Sequence, residues 1–321
     1  MGYRRAIVQP AHFFYAERDE TFTTPNECCT AQRSDEEMSS TMIASSLGPP
    51  EVVAHDLTAA PPLVRQAQQQ VAVTLSVIIP CFNEHSTILS LIERVQRVAL
   101  SKEIIIVDDG STDGTRELLS ALVEGLPGIT VIFHQGNRGK GAAVQSGLAH
   151  ATGEIVIIQD ADLEYDPEDY HKVIAPILDG STQVVYGSRN LQPNHYSYQS
   201  FYWGGRLVTL VVNLLYGVRL TDEATCYKAF ARPIIQSFRL EAAGFDFCPE
   251  VTAKVLRRGY TIHEVPIHYR ARPREEGKKI RMRDGLWAVW TLLKYRFIPL
   301  GAPAVAPATQ HEANAVADQT S

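Results

Sequence analysis

From Leu75 onward the chain alternates between two hydrophobic rhythms. "LSVIIP" (Leu75–Pro80), "EIIIVDD" (Glu103–Asp109), "ITVIFHQ" (Ile129–Gln135), "EIVIIQDAD" (Glu154–Asp162) and "TQVVYGSR" (Thr182–Arg189) contain continuous apolar runs rich in branched side chains. Such runs predict strands covered on both faces. Between them the spacing turns helical. "STILSLIERVQRV" (Ser86–Val98) places Ile88, Leu91, Ile92 and Val95 on one face behind a Ser/Thr start. Thr115–Val123, "GAAVQSGLAHA" (Gly141–Ala151) and "PEDYHKVIAPIL" (Pro167–Leu178) also read as helices. Strands alternating with helices predict an α/β domain with a mainly parallel central sheet and helices on both faces.

In such sheets ligands bind beyond the carboxyl ends of the strands. Asp108, Asp109, Asp160 and Asp162 all fall at predicted strand ends. Carboxylates gathered at one rim repel one another unless something positive lies between them. Asp160 and Asp162 flank the small Ala161 at a strand-to-loop transition, a pattern suited to Mg²⁺ or Mn²⁺ with phosphate oxygens completing the shell. Asp109 is placed to accept hydrogen bonds from a base or ribose. Asp108 and Asp113 read more simply as turn formers and helix caps within "STDGT". "GNRGKGAAVQSG" (Gly136–Gly147) is a glycine-rich entry to a helix, and its amides and Lys140 could attract an anion. It matches neither GxxxxGK[ST] nor GxGxxG.

Composition narrows the picture. The 321 residues carry a net charge of -6, so no global basic field recruits nucleic acid. The five cysteines have no CxxC spacing and no histidines at zinc-ligand spacing, which fits a reduced, cytoplasmic setting. The N-terminus has charges but no apolar leader core. No stretch of ~20 apolar residues predicts a conventional membrane span. Residues 1–70 mix Thr, Ser, Glu, Pro and Gln without a sustained period and are expected to be disordered, as is the tail 301–321. One domain is expected over 71–300.

The second half is read for chemistry. "FYWGGRLVTLVVNLLYG" (Phe201–Gly217) is apolar but broken by Gly204, Gly205 and Arg206, and reads as a core helix or an interfacial one. "HYRARPREEGKKIRMRDG" (His268–Gly285) is dense in Arg and Lys, able to clamp a diphosphate or meet an anionic headgroup. "LWAVWTLLKYRFIPL" (Leu286–Leu300) pairs aromatic with cationic residues, as a helix on the domain or at a membrane surface would. His171, His263 and His268 are isolated and read as structural or exposed.

The stretches "SVIIPCFNE", "EIIIVDDGSTDGT", "NRGKGAAVQSGL", "DADLEYDPED", "VYGSR" and "FDFCPEVTAKVLRRGYTIHEVPIHY" occur in this order. Together they resemble family 2 glycosyltransferases of the GT-A fold, most of all the dolichyl- or polyprenyl-phosphate sugar synthases. The resemblance implies that Pro80, Phe82 and Glu84 line the nucleotide pocket and that Val107 and Asp109 hold base and ribose. It implies that Asp160, Ala161 and Asp162 form the metal-diphosphate motif, with Glu164 near the metal. Arg189 aligns with an active-centre arginine, and Arg272 and Lys278 with a basic pair near the phosphates. "TDEATCYKAF" (Thr221–Phe230) departs from the family's usual pattern there, keeping Asp222 and a basic Lys228. The QxxRW motif of processive synthases is absent.

The expected function is therefore inverting, metal-dependent transfer of a sugar from GDP-mannose or a UDP-hexose to a polyprenyl phosphate, with peripheral contact at the cytoplasmic membrane face. A phosphate acceptor needs no base, whereas a sugar hydroxyl does, and Asp222 is then the candidate. Rival expectations are a glycosyltransferase with a hydroxyl acceptor, a phosphoacceptor signalling module, and a non-catalytic binding protein on the same fold. The sequence assigns no oligomeric state.

Overall fold

The computed structural model describes residues 74–123, 128–194, 199–272 and 282–300. The expectations for 1–70, for the tail 301–321, for Lys278 and for much of the basic stretch lie outside the described residues.

The apolar runs form the strands β1 (Leu75–Cys81), β2 (Lys102–Asp108), β3 (Ile129–Phe133), β4 (Ile155–Ile158) and β5 (Val184–Ser188). Helices α1 (Ile88–Arg97), α2 (Thr115–Val123), α3 (Lys140–Leu148) and α4 (Tyr170–Leu178) connect them. The face foreseen on α1, Ile88, Leu91, Ile92 and Val95, is the buried one. The second half adds α5 (Gln199–Tyr216), β6 (Lys228–Ala231), α6 (Arg232–Gln236), α7 (Phe247–Arg257), β7 (His263–Pro266) and α8 (Met282–Phe297).

Seven strands make one sheet in the order β3-β2-β1-β4-β6-β5-β7. The β1, β2, β3 and β4 pairings are parallel, as is β5 with β7. β6 runs against both neighbours. The core is the sheet's branched residues: Val77, Ile78, Ile79, Ile105, Ile106, Val156 and Ile157 are at most 1% exposed.

The direction of β6 decides what meets at the rim. The carboxyl ends of β4, β5 and β7 point one way, so β6 presents its amino end there, with Lys228 opposite Tyr186. The residues preceding β6, including Asp222, therefore share a rim with those that follow β4, β5 and β7: Asp160 and Asp162, Arg189, and Tyr269 to Arg272.

A separate apolar cluster joins Val208 and Val212 of α5 to Ala253 of α7 and Leu292 and Tyr295 of α8. Tyr216 Oη donates to the Leu292 carbonyl at 2.8 Å, and Arg296 Nε to the Leu215 carbonyl at 2.8 Å. The opposite faces stay uncovered. Trp203, Leu207, Leu210 and Leu214 on α5 and Leu286, Trp287, Trp290 and Phe297 on α8 are all more than half exposed. Each helix thus has one packed face and one exposed apolar stripe. Among the described residues no helix is long and apolar enough to cross a membrane.

Candidate active site

The acidic end of β2 is held by the chain itself. Asp108 is fully buried; it accepts from the Ser111 amide at 3.2 Å and pairs with Arg116 at 2.7 Å. It is a turn-forming residue, as expected. Asp113 accepts from the His85 amide at 3.2 Å and the Thr115 amide at 3.1 Å. Asp109 accepts from the amides of Arg138 at 2.9 Å and Gly139 at 2.7 Å, and lies 2.7 Å from His134 Nδ1. Two amides of the glycine-rich entry thus hold an internal anion, Asp109. His134, whose Nε2 meets Ser146 Oγ at 2.9 Å, was missed in the sequence because no motif surrounds it. Gly110 makes this fit possible: its φ is +78°, and a Cβ there would lie 2.5 Å from the Gly136 carbonyl carbon.

Beyond β4 the chain turns through Leu163, whose φ of 60° is unusual for a residue with a Cβ. In this turn Asp162 Oδ1 accepts from the Glu164 amide at 3.2 Å. Burial, Asp160 and Glu164 push the Asp162 carboxyl up to about 7, against the opposing charge of Arg272. Asp160 lies 2.5 Å from Lys140 Nζ. Burial works against the charge on Lys140, but Asp160 outweighs it and holds the ammonium well above its ordinary range.

Two arginines approach from the second half. Arg189 forms a two-pronged pair with Asp222, Nε to Oδ2 at 2.7 Å and Nη2 to Oδ1 at 2.8 Å, and its amide donates to Oδ2 at 2.9 Å. Its guanidinium lies 5.0 Å from the Tyr269 ring centroid. Asp222 is itself positioned by Glu264, which accepts from the amides of Thr221 at 2.7 Å and Asp222 at 2.9 Å. Arg272 forms a second two-pronged pair, with Glu84, both contacts at 3.0 Å. Glu164 fixes this segment: Tyr269 Oη donates to it at 2.7 Å and the Arg272 amide at 2.9 Å.

A family model described as "Glycosyl transferase family 2" matches residues 76–237. The chain belongs to glycosyl transferase family 2. The undecaprenyl-phosphate 4-deoxy-4-formamido-L-arabinose transferase of Pseudomonas fluorescens (strain SBW25) is 30% identical to this family 2 chain over 217 residues, 65% of this chain and 61% of that one. The enzyme of the same name from Salmonella choleraesuis (strain SC-B67) is 30% identical over 214 residues, 65% of this chain and 63% of that one. The chain thus spans less than two thirds of the length of these relatives. Among solved structures, glucosyl-3-phosphoglycerate synthase from Mycobacterium tuberculosis in complex with Mg²⁺ and UDP superposes with a TM-score of 0.55 at 23% identity, covering 70% of this chain and 80% of that one. That likeness shows the GT-A fold.

Within the family 2 fold, some site expectations need revision. Lys228, expected at the donor, is fully buried; its Nζ donates to the Glu223 carbonyl and lies 3.8 Å from the Tyr186 ring centroid. Its place in a strand amid Glu223, Thr252 and Tyr186 explains the burial. Val107 is likewise fully buried, so base contact through its side chain is closed. Glu164, expected near the metal, accepts from Tyr269 Oη through one oxygen and from the Arg272 amide through the other. No group of three His, Cys, Asp or Glu side chains among the described residues is arranged to hold a metal. The carboxylates that could hold a hard divalent cation are Asp160 and Asp162, with the remaining ligands left to phosphate and water. Asp222, the candidate base, has three donors on its two oxygens and acts on Arg189. Glu84, assigned to the nucleotide pocket, is bound to Arg272. Pro80, near the end of β1, and Phe82, on the loop that follows it, are half-buried, and Ala161 is buried between the two aspartates. His171, His263 and His268 are exposed, and His268 Nδ1 lies 3.0 Å from Asp169.

Proposed function

We propose that this family 2 chain transfers a sugar, with inversion, from a nucleotide-sugar to a polyprenyl phosphate. The observation supporting the reading is the rim itself: two neighbouring carboxylates, Asp160 and Asp162, with Arg272 close enough to act on Asp162, and a second arginine, Arg189, following β5 at the same rim, each arginine held by its own carboxylate. A divalent cation held by Asp160 and Asp162 would neutralise charge developing on the leaving nucleoside diphosphate.

The chain's own residues orient the rest. Asp222 fixes the orientation of the Arg189 guanidinium beside Tyr269, where its positive charge bears on an incoming anion. Arg272 is tied to Glu84 and Glu164 and brings a second positive charge close enough to Asp162 to act on it. A phosphate acceptor arrives already ionised, so the absence of an unencumbered base at Asp222 is no obstacle. Two relatives named for undecaprenyl phosphate favour the same acceptor class. The exposed stripes of α5 and α8, with Arg206, Lys294 and Arg296 alongside, suit contact with the membrane surface that carries such a lipid.

The test is a donor and acceptor screen. The full chain is incubated with Mg²⁺ or Mn²⁺ and with GDP-mannose, UDP-glucose, UDP-GlcNAc or a nucleotide-activated 4-deoxy-4-formamido-L-arabinose, with and without polyprenyl phosphate. Nucleotide release is expected to need both metal and lipid phosphate, and D162N is expected to abolish it. Release that needs only a sugar hydroxyl acceptor would replace the lipid reading. Unchanged turnover in D162N would remove the metal from it.

A further inference from the structure

Lys140 is the first residue of α3, and its ammonium points back across the rim. It lies 2.5 Å from Asp160 Oδ1 and 3.8 Å from Cys226 Sγ. Its side chain is 14% exposed and that of Asp160 24%, so water screens the pair poorly. One of the two carboxylates suited to a cation therefore already has one.

We propose that Lys140 is a resident counter-ion of Asp160, competing with the divalent cation and making metal uptake depend on arrival of a diphosphate. The inference rests on the reading of Asp160 and Asp162 as the metal's protein ligands. An ammonium in contact with one ligand oxygen repels an incoming dication and occupies a lone pair that it needs. Two side-chain ligands are few, and the third candidate, Glu164, is already engaged by Tyr269 and the Arg272 amide. A diphosphate supplies what is missing: more oxygen ligands for the metal, and negative charge that offsets the lysine. The free protein then holds little metal, and metal and nucleotide are taken up together.

Lys140 serves a second purpose in the nucleotide-free state. The Lys140 ammonium beside Asp160 limits the repulsion between the neighbouring Asp160 and Asp162 carboxylates. An ordinary structural ion pair would do this too. The two roles differ in what removing the lysine does to the metal.

The experiment titrates Mn²⁺ into the full chain and follows the free-ion electron paramagnetic resonance signal, first without nucleotide and then with saturating GDP or UDP. Without nucleotide, K140M is expected to bind Mn²⁺ on the order of tenfold tighter than the wild type, the scale of one adjacent charge at a partly screened site. K140R should stay at the wild-type value, and K140M/D160N should lose the gain. With nucleoside diphosphate the gap between wild type and K140M should narrow. Circular dichroism checks folding, with K140Q replacing K140M if the latter does not fold. Wild-type uptake of Mn²⁺ with nucleotide, but no tighter binding by K140M or K140Q alone, overturns this inference and leaves the metal reading standing. No uptake by any variant in any arm removes the metal reading and this inference with it.

Discussion

Asp222 spends both carboxylate oxygens on Arg189, and that contact separates two chemistries. If Asp222 orients the arginine, the two side chains act as one unit. D222N and R189A are then each expected to lower kcat by on the order of 10²-fold, the loss typical of a group that stabilises developing charge. The double variant should fall no further than the worse single one. Steady-state kinetics with polyprenyl phosphate reads this directly. Additive losses, or a D222N defect confined to hydroxyl acceptors, would return Asp222 to the role of base. Gly110 offers a test on stability. G110A must take a φ of +78° and push against Gly136, so a loss of about 1–3 kcal/mol is expected in chemical denaturation. A variant as stable as the parent would mean that the glycine-rich turn yields at no cost.

At the scale of elements, α5 and α8 share a packed face and leave two apolar stripes outside. L214E combined with W290E is expected to reduce cosedimentation with anionic vesicles severalfold, since each change puts a charge where an apolar side chain would enter the interface. Neither residue belongs to the buried cluster of these helices, so circular dichroism and thermal midpoint should hardly move. Equal cosedimentation of variant and parent would detach these stripes from the membrane. The same scale shows what could be read in advance. β1, β2, β4 and β5 announce themselves because each carries an apolar run that the sheet buries, whereas β3, at the sheet edge, is marked by its branched residues although only Ile129 of it is buried. β6 and β7, "KAFA" and "HEVP", are four residues each and include charged or polar side chains, so no run marks them. The resemblance alone put Lys228 at the donor, and with no run to mark β6 nothing in the sequence showed it to be a buried strand residue.

For the molecule as a whole, the chemistry was legible and the wiring was not. Asp160, Asp162 and Arg189 stand at ends of predicted strands, and sheet geometry alone sends them to one rim. Their partners come from far along the chain: Glu84 with Arg272, Arg189 with Asp222, Lys140 with Asp160. Local spacing cannot express such pairs. They follow from strand order, which the sequence left undetermined. The inserted β6 is the clearest case, because β4 and β5 do not touch each other and both pair with it. A growing polypeptide that has emerged only just past β5 contains Asp160, Asp162 and Arg189, but lacks the strand that sets the distance between them. Assembly of the centre must wait for a late, sequence-distant pairing, the kind of step that slows folding and prolongs exposure of open strand edges. Catalytic competence should therefore be among the last properties this chain acquires during synthesis.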